Sequence, residues 1–219
     1  MRRSVRLAVG LAGGLMLLGL TGCGDVKFDP MTSGIYLDRD GSVIGAEIES
    51  FDNSGFTEAR YDADELKAFV EDSVKEYNQS VGGPALAYAK DVEEKNAVLP
   101  VGIGGLTVTE KEATLLLDYA SCEEYMAFNE ADPSVTQLSL MSAPAAVAAG
   151  VSLDGFVNAD GEVVDTSKAR ESEKYYLATV VGDTTVTVNG KIVGVSGAEP
   201  VDEHTVTIHS DVISYILFR

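Results

Sequence analysis

Tryptophan is absent from this 219-residue chain, and cysteine and histidine are scarce, with two of each. Without tryptophan, the sequence offers no obvious platform on which a sugar could stack. Zinc sites generally take several Cys or His ligands, and His204 and His209, five residues apart, would lie on opposite faces of a strand. We therefore expect no zinc site, and we predict that the protein uses no metal or other cofactor.

Positive charge is also scarce, since 16 Lys and Arg residues stand against 35 Asp and Glu residues and the formal net charge is −19. An acidic surface is repelled by nucleic acid and by anionic lipid headgroups. We expect no nucleic-acid partner and no attachment to a membrane through a basic patch. Acidity that keeps the protein soluble is the main interpretation, and binding of a cationic ligand or divalent ion is the alternative.

Motifs for serine, nucleotide and calcium chemistry are all incomplete. Residues 194–198 approach the G-x-S-x-G elbow, but Ala198 replaces its second glycine, and the elbow also needs a strand-turn-helix context. The glycine-rich residues 101–106 lack the Lys-Ser/Thr pair of a phosphate loop. Residues 38–42 and 158–162 resemble fragments of a calcium loop without its spacing. Ordinary turns are the prediction for both fragments.

Cys122 is the cysteine inside the predicted domain. It lies near a predicted helix N-terminus, where a thiol pKa can fall. Its acidic sequence neighbours Asp118, Glu123 and Glu124 oppose a thiolate. We predict a small buried residue here, and we assign no catalytic residue anywhere in the chain.

Long apolar runs are absent except near residue 1. Arg2, Arg3 and Arg6 precede an apolar run over residues 7–20, which is shorter than the roughly 20 residues that span a bilayer. A charged start, a short apolar middle and an end of small residues are typical of a secretory signal. The run ends in Leu20-Thr21-Gly22-Cys23, which resembles the bacterial lipobox.

In lipoprotein precursors with that box, diacylglycerol is attached to the cysteine thiol and the signal is cut off just before it. The resemblance implies that residues 1–22 are a lipoprotein signal peptide and that Cys23 is the lipid-attachment site. Two acyl chains make a stable anchor, at about 0.8 kcal/mol for each buried methylene. A plain signal peptide with an incidental cysteine, or a single membrane anchor, is the alternative. Cleavage would leave 13 basic and 35 acidic residues, a net charge of −22, and no disulfide partner for Cys122.

The pattern after the signal predicts an acylated cysteine and tether over residues 23–33 and one extracytoplasmic domain over residues 34–219. A boundary between two lobes would fall near residues 160–174. Strand and helix patterns come in blocks without regular βαβ alternation. The predicted fold class is α+β, with mostly antiparallel sheet or sheets, one long amphipathic helix and two short helices.

The long helix is predicted to start at the N-cap Asp62, with Tyr61 in a hydrophobic staple, and to stop at Gly82. The side chains expected on its buried face share helical spacing: Leu66, Phe69, Val70, Val74, Tyr77 and Val81. One short helix should begin after Ser121, which has capping-box spacing to Glu124. The other should carry Pro144 in its first turn.

Strand patterns dominate the rest of the domain. Residues 35–48 predict a β-hairpin. Asn189-Gly190 lies between β-branched runs and predicts a second hairpin with a type I′ turn. Residues 212–218 are apolar on both faces, which predicts a central buried strand at the carboxyl end of the chain.

The lipobox, "YDADELKAFVEDSVKEYN", "LLLDYASCEEYMAFN", "VNGKIVGVS" and "ISYILFR" together resemble a group of uncharacterised lipoproteins from Gram-positive anaerobic bacteria. The resemblance covers most of the chain after the signal and rests on helix and strand patterns. It implies a lipid-anchored protein on the extracytoplasmic face of the cell membrane. It implies no activity and no site residue besides Cys23.

Two classes of function follow from the sequence. The first is a membrane-anchored binding or interaction module without catalytic activity, whose protein or small-molecule partner is unknown. The second is an envelope hydrolase that uses carboxylates for acid/base chemistry. Sequence spacing does not bring two carboxylates together in space, so the choice between the two classes requires a structure.

Overall fold

The structure is a computed structural model, and it describes residues 26, 28–50, 63–92, 98–109, 111–132 and 134–219, apart from the side chains of 210 and 211. In chain order the elements are β1 (Gly34–Leu37), β2 (Val43–Ser50), α1 (Ala63–Ser80), β3 (Val101–Val108), β4 (Glu112–Tyr119), α2 (Cys122–Phe128), β5 (Val135–Ser142), α3 (Ala143–Ala148), β6 (Tyr176–Val188), β7 (Ile192–Ser196), β8 (Glu199–Pro200) and β9 (Thr205–Phe218). Short 3₁₀ turns cover Ala89–Asp91 and Ala169–Glu171.

One nine-stranded sheet forms the framework of the described residues, in the order β3-β4-β2-β1-β6-β9-β7. In addition, β5 pairs with β6 and β8 pairs with β9. The pairing is antiparallel except between β1 and β6, which run parallel, so the sheet is mixed. The predicted α+β class is therefore wrong, and the fold is mostly β. The block pattern of the sequence did not reveal that the described strands join one sheet, because the β1–β6, β2–β4 and β6–β9 partners are far apart in the chain.

The prediction of a long amphipathic helix with a broad buried face is also wrong. Helix α1 covers 18 residues, but its buried residues are Val70, Val74 and Asn78. Phe69 is 69 % exposed and Val81 is 47 % exposed. The helix packs against β3 at the edge of the sheet, so only a narrow stripe is covered. The predicted N-cap and staple residues lie outside the described residues.

The predicted hairpin at Asn189-Gly190 does not form. β6 and β7 both pair with β9, which lies between them. Gly190 is not among the glycines with positive φ, and no described non-glycine residue has positive φ, so a type I′ turn is excluded. Glycine is needed here for another reason, because a Cβ at Gly190 would lie 2.5 Å from the carbonyl oxygen of Arg219.

The two longest strands, β6 and β9, form a ribbon that bends back on itself. The register pairs Tyr176 with Phe218 at one end of the ribbon and Thr187 with Thr205 at the other. A β-bulge interrupts the register near Gly182, and such bulges sharpen the local bend of a strand pair. A Cβ at Gly182 would lie 2.2 Å from a backbone oxygen, so glycine permits the corner.

The segment between β6 and β7 shows that the two ends of the ribbon meet. The Lys191 N–H donates to the Arg219 carbonyl over 2.9 Å, next to the last residue of β9. The Ile192 N–H donates to the Glu203 carbonyl over 2.8 Å, just before β9 begins. One short segment therefore contacts both ends of a 14-residue strand, which is possible only because the strand is bent.

The main apolar core lies inside this bend. Ala178 and Val180 from one half of β6 share a cluster with Val186 and Val188 from the other half. A second cluster on the opposite face joins α3 to Leu177 and Leu217. The predicted central strand at the carboxyl end is present, because β9 lies between β6 and β7. Its last residues, Ile216, Leu217 and Phe218, are fully buried, whereas Val212 and Ile213, which were also predicted to be buried, are 66 % and 47 % exposed.

Several local predictions are confirmed. The β1–β2 hairpin forms. Ser121 caps α2 by accepting a hydrogen bond from the Glu124 N–H over 3.2 Å. Pro144 stands in the first turn of α3, as predicted. The cap of this helix was not predicted: Ser142 accepts a hydrogen bond from the Ala145 N–H over 3.4 Å. These signals are local in sequence and the tertiary arrangement keeps them, unlike the Asn189-Gly190 turn signal.

Candidate functional site

Asn189 joins the end of β6 to the β1–β2 turn. Its side chain is 6 % exposed and donates to both carboxylate oxygens of Asp38 over 3.1 Å each. Its backbone N–H donates to the Leu37 carbonyl over 2.9 Å. Arg39 completes the junction, because its Nε donates to the Asn189 carbonyl over 2.5 Å. A buried amide with this many partners fixes the turn firmly to the sheet.

The first described residues of the chain dock at the same place. The Val26 N–H donates to Asn189 Oδ1 over 3.4 Å. The Phe28 ring packs on the Tyr36 ring with centroids 5.4 Å apart. Further on, the Ile48 N–H donates to the Ser33 hydroxyl over 2.9 Å. The described part of the predicted tether is therefore held against the domain, and it leads back to Asn189.

We call this part of the molecule the Asn189 end, defined by Val26, Arg39, Asn189, Lys191 and Arg219. Two adjoining open grooves lie there. The first, of about 410 Å³, is lined by Lys168, Glu171, Ser172, Lys174, Tyr175 and Arg219. The second, of about 480 Å³, is lined by Arg39, Glu173, Lys174, Tyr176 and Arg219. The grooves share a lysine and an arginine, so cations stand where they meet.

Arg219 is held in position by its backbone and its side chain. Its N–H donates to the Lys191 carbonyl over 3.1 Å, and its own carbonyl accepts from the Lys191 N–H. The guanidinium lies 5.9 Å from the centre of the Tyr175 ring and donates to the Tyr175 hydroxyl over 3.5 Å. An arginine and a lysine placed together can bind the oxygens of a phosphate or carboxylate.

Acidic residues at the Asn189 end partly balance these cations. Lys191 pairs with Glu203 over 2.9 Å, and this contact lowers the pKa of the Glu203 carboxyl. Glu171 and Glu173 line the grooves beside Lys174. The site is therefore mixed in charge, in contrast to the strongly acidic chain as a whole.

The sequence-predicted site residues are not brought together. Cys23 lies outside the described residues. The His204 ring Nδ1 lies 2.7 Å from the Gly190 carbonyl, and the His209 ring Nδ1 lies 3.1 Å from the Asp183 carboxylate. In the described ranges, no group of three or more His, Cys, Asp or Glu side chains is placed to hold a metal ion.

The two calcium-like fragments are turns, as predicted. In the β1–β2 turn, Asp40 Oδ1 accepts from the backbone N–H and hydroxyl of Ser42 over 2.9 and 2.6 Å. In the second fragment, Asn158 Oδ1 accepts from the Glu162 N–H over 2.9 Å. In both turns the side-chain oxygen accepts a hydrogen bond from a nearby backbone N–H.

Cys122 is buried, as predicted. It is the first residue of α2 and is 4 % exposed. Burial, with the nearby Glu123 charge, raises the pKa of its thiol to about 12. Its Sγ lies 3.8 Å from the Gly41 carbonyl. The residue packs α2 against the β1–β2 turn.

The serine-elbow resemblance also has a structural explanation. Ser196 ends β7, and β8 follows without a helix between them. A Cβ at Gly194 would lie 2.7 Å from a Val164 methyl, so this glycine allows close packing. Strand β7 provides no nucleophile elbow, which agrees with the prediction.

Asp118 has a perturbed carboxyl group. The sequence named it only as an acidic neighbour of Cys122 and did not predict this. It lies against Gly104, where a Cβ would come within 2.9 Å of its carboxylate oxygen. Its side chain remains accessible, yet the protein atoms crowded around it raise its pKa to about 6. The paired glycines 104 and 105 were the available signal, because they coincide with a bulge between β3 and β4.

No protein-family model, curated protein or solved structure matches the chain. None of the helices in the described residues is both long and apolar enough to cross a bilayer. The description of the protein therefore rests on its own fold and site. It is a mostly β domain with a cation-lined surface where its first described residues dock.

Proposed function

We propose that the protein is a lipid-anchored binding module on the extracytoplasmic face of the cell membrane, held there by acyl chains on Cys23. The lipobox Leu20-Thr21-Gly22-Cys23 is the observation that carries the proposal. The docking of Val26 on Asn189 supports it, because a fixed exit point suits a domain that works close to its anchor.

The binding role rests on the two grooves at the Asn189 end. Their cationic side chains suit an anionic group, and their openness suits a ligand that is part of a larger surface. Arg39 and Lys174 lie in turns beside the sheet, and Arg219 follows the last residue of β9, so strands β1, β6 and β9 position all three. The ligand class follows from this chemistry and is anionic.

The first prediction concerns acylation. Cells that express the full chain and are grown with radioactive palmitate should label the wild type and the Cys122→Ser variant equally. The Cys23→Ala variant should take up no label, because it lacks the thiol that carries the lipid, and it should either remain as an unacylated precursor or leave the membrane fraction. Label on the Cys23→Ala variant, or none on the wild type, would refute the proposal.

The alternative function is an envelope hydrolase, and Asp118 is the observation that favours it. A carboxyl group with a pKa near 6 can act as a general acid close to neutral pH. Assays of the purified protein on peptidoglycan and ester substrates would test this alternative. Turnover that disappears in the Asp118→Asn variant would replace the binding module with an enzyme.

A further inference from the structure

We propose that the second half of β3 is an open sheet edge that binds an extended peptide carrying lysine or arginine side chains. The peptide adds a strand beside Leu106 and Val108 and places a cation at Asp118. This site uses neither Cys23 nor the grooves at the Asn189 end. It therefore goes beyond the proposed function and does not depend on it.

The hydrogen-bonding pattern of β3 leaves backbone groups pointing away from the sheet. The Thr109 N–H donates to the Glu112 carbonyl over 2.8 Å, which sets which residues of β3 bond to β4. Residues of an antiparallel pair alternate between facing the partner strand and facing away from it. The register has no shift from Gly105 to Val108, so Leu106 and Val108 direct their N–H and carbonyl groups outward. Within the described ranges, no residue bonds to these outward groups.

The first half of β3 shows how this protein closes an edge. There the Val101 N–H donates to the Asn78 side chain over 2.9 Å, and the Ile103 N–H donates to the Ala87 carbonyl over 2.7 Å. Helix α1 and the segment after it therefore bond to the outward groups. Among the residues that the structure describes, this cover ends at Ile103, and the edge from Gly104 onward is open.

The remaining edge strands are protected in other ways. Val157 and Val195 exchange two backbone hydrogen bonds, over 3.0 and 2.8 Å, along the outer side of β7. Strand β8 contains Pro200, which has no N–H to donate, and helix α2 packs against β5. Proteins protect exposed edges with charges, prolines or covering segments. Residues 104–109 contain neither a charge nor a proline, which suits this edge to pairing with another strand.

Asp118 supplies negative charge at the open edge. A Cβ at Gly104 would lie 2.9 and 3.0 Å from its two carboxylate oxygens, so the carboxylate lies over the backbone of β3 itself. Both residues are exposed. In the described part of the chain, no residue forms a hydrogen bond or ion pair with this carboxylate. A strand paired with β3 would lie about 4.8 Å away, so a lysine side chain on it can reach Asp118.

The charge of the surrounding elements favours a cationic partner. Residues 43–119, which supply β2, α1, β3 and β4, contain 16 Asp and Glu residues against six Lys and Arg residues. This count includes every charged residue of the stretch. Two copies of so acidic a surface repel each other, whereas a basic peptide is attracted. The outward backbone groups can pair with any extended chain, and Asp118 with its acidic surroundings gives the preference for a basic one.

Titration calorimetry of the purified full chain at pH 7.5, where Asp118 is ionised, tests the charge preference. The probe is the peptide acetyl-Lys-Val-Lys-Val-Lys-amide, and the control is the same peptide with glutamate in place of lysine. The lysine peptide should bind and the glutamate peptide should not. Asp118→Asn should weaken binding of the lysine peptide about threefold, as expected for one exposed ion pair. The matched variant Asp160→Asn, in a turn beside β7, should bind like the wild type.

Hydrogen exchange and a variant of the edge test the mode of binding. The Leu106 and Val108 amides should exchange about tenfold more slowly when the lysine peptide is bound, because their N–H groups become hydrogen-bonded. Val108→Pro removes an outward N–H without removing a bond to β4, and it should weaken binding about tenfold. Val108→Ala keeps that N–H and should bind like the wild type. Thermal melting checks both variants, and the exchange measurement on the wild type requires no variant.

Three results would overturn the inference. The first is binding of neither peptide, or of both with equal affinity. The second is slow exchange of the Leu106 and Val108 amides in the free monomer, which shows that the chain itself closes the edge. The third is slow exchange only in a dimer detected by sedimentation, which assigns the edge to a second copy. None of these results bears on the lipid attachment at Cys23, so the inference and the proposed function fail separately.

Discussion

Asn189 shows how one side chain can hold three parts of a chain together. Its amide group serves the β1–β2 turn through Asp38 and the start of the domain through Val26. No sequence motif marks such a residue, since its partners lie 151 and 163 positions away. The sequence predicted a turn at its neighbour Gly190. In the structure, the absence of a Cβ at Gly190 instead lets the Arg219 carbonyl lie close to it.

The second prediction follows from this junction. Asn189→Ala should lower the free energy of unfolding by about 2 kcal/mol, because it removes two hydrogen bonds to a carboxylate and leaves Asp38 partly unpaired. Hydrogen exchange should also accelerate in residues 28–33, which lose their attachment. The control Asn158→Ala, in a surface turn, should cost less than about 1 kcal/mol. Equal losses for the two variants would show that Asn189 has no special structural role.

The third prediction concerns Asp118 and pH. Its pKa is raised from 3.8 to about 6 in the folded protein, so the folded state binds this proton more tightly than the unfolded state does. The Asp118 contribution to stability is therefore favourable at low pH and is lost as the pH rises from about 4 to about 6. Asp118→Asn should be more stable than the wild type at pH 7.5 by about 1 kcal/mol, after allowance for solvent screening. Urea unfolding should show no such gain at pH 3.5, and an identical difference at both pH values would contradict the assignment.

At the level of elements, helix α1 is attached by a polar residue as much as by apolar ones. Asn78 is fully buried and donates to the carbonyls of Leu86 and Val101 over 2.8 Å each. It also accepts from the Val101 N–H over 2.9 Å. Periodicity could predict the helix but not this contact, because a polar residue on an apolar face carries no signal of its partner.

The fourth prediction compares the observed and the expected faces of α1. Asn78→Ala should lower the free energy of unfolding by about 3 kcal/mol, because it leaves buried backbone groups without partners. Phe69→Gln should change it by less than about 0.5 kcal/mol, since this ring is 69 % exposed. Denaturant titration of the two variants measures both values. A larger loss in the free energy of unfolding for Phe69→Gln than for Asn78→Ala would support the buried face that the sequence predicted.

Some elements could be predicted from the sequence and others could not, and the difference has a physical cause. The Ser121 cap, the β1–β2 hairpin and the carboxyl-terminal strand depend on neighbouring residues, so they could be predicted. The turn predicted at Asn189-Gly190 does not form, because Gly190 packs against the distant Arg219. The order of strands, the parallel β1–β6 pair and the bend at Gly182 depend on contacts between distant segments. The cation-lined grooves arise from the same distant contacts, since Arg39 and Arg219 meet only in the fold.

For the molecule as a whole, the bent β6–β9 ribbon explains why so many segments meet at one place. Both ends of the ribbon meet at the Asn189 end, together with the β1–β2 turn and the first described residues.

Intact-mass analysis of the full chain purified from bacterial membranes tests the central claim most directly, because it identifies the first residue and its modification together. We expect the mature protein to begin at Cys23 and its N-terminal peptide to carry a thioether-linked diacylglycerol. A mature protein that begins at another residue, or that begins at Cys23 with an unmodified thiol, would contradict the account.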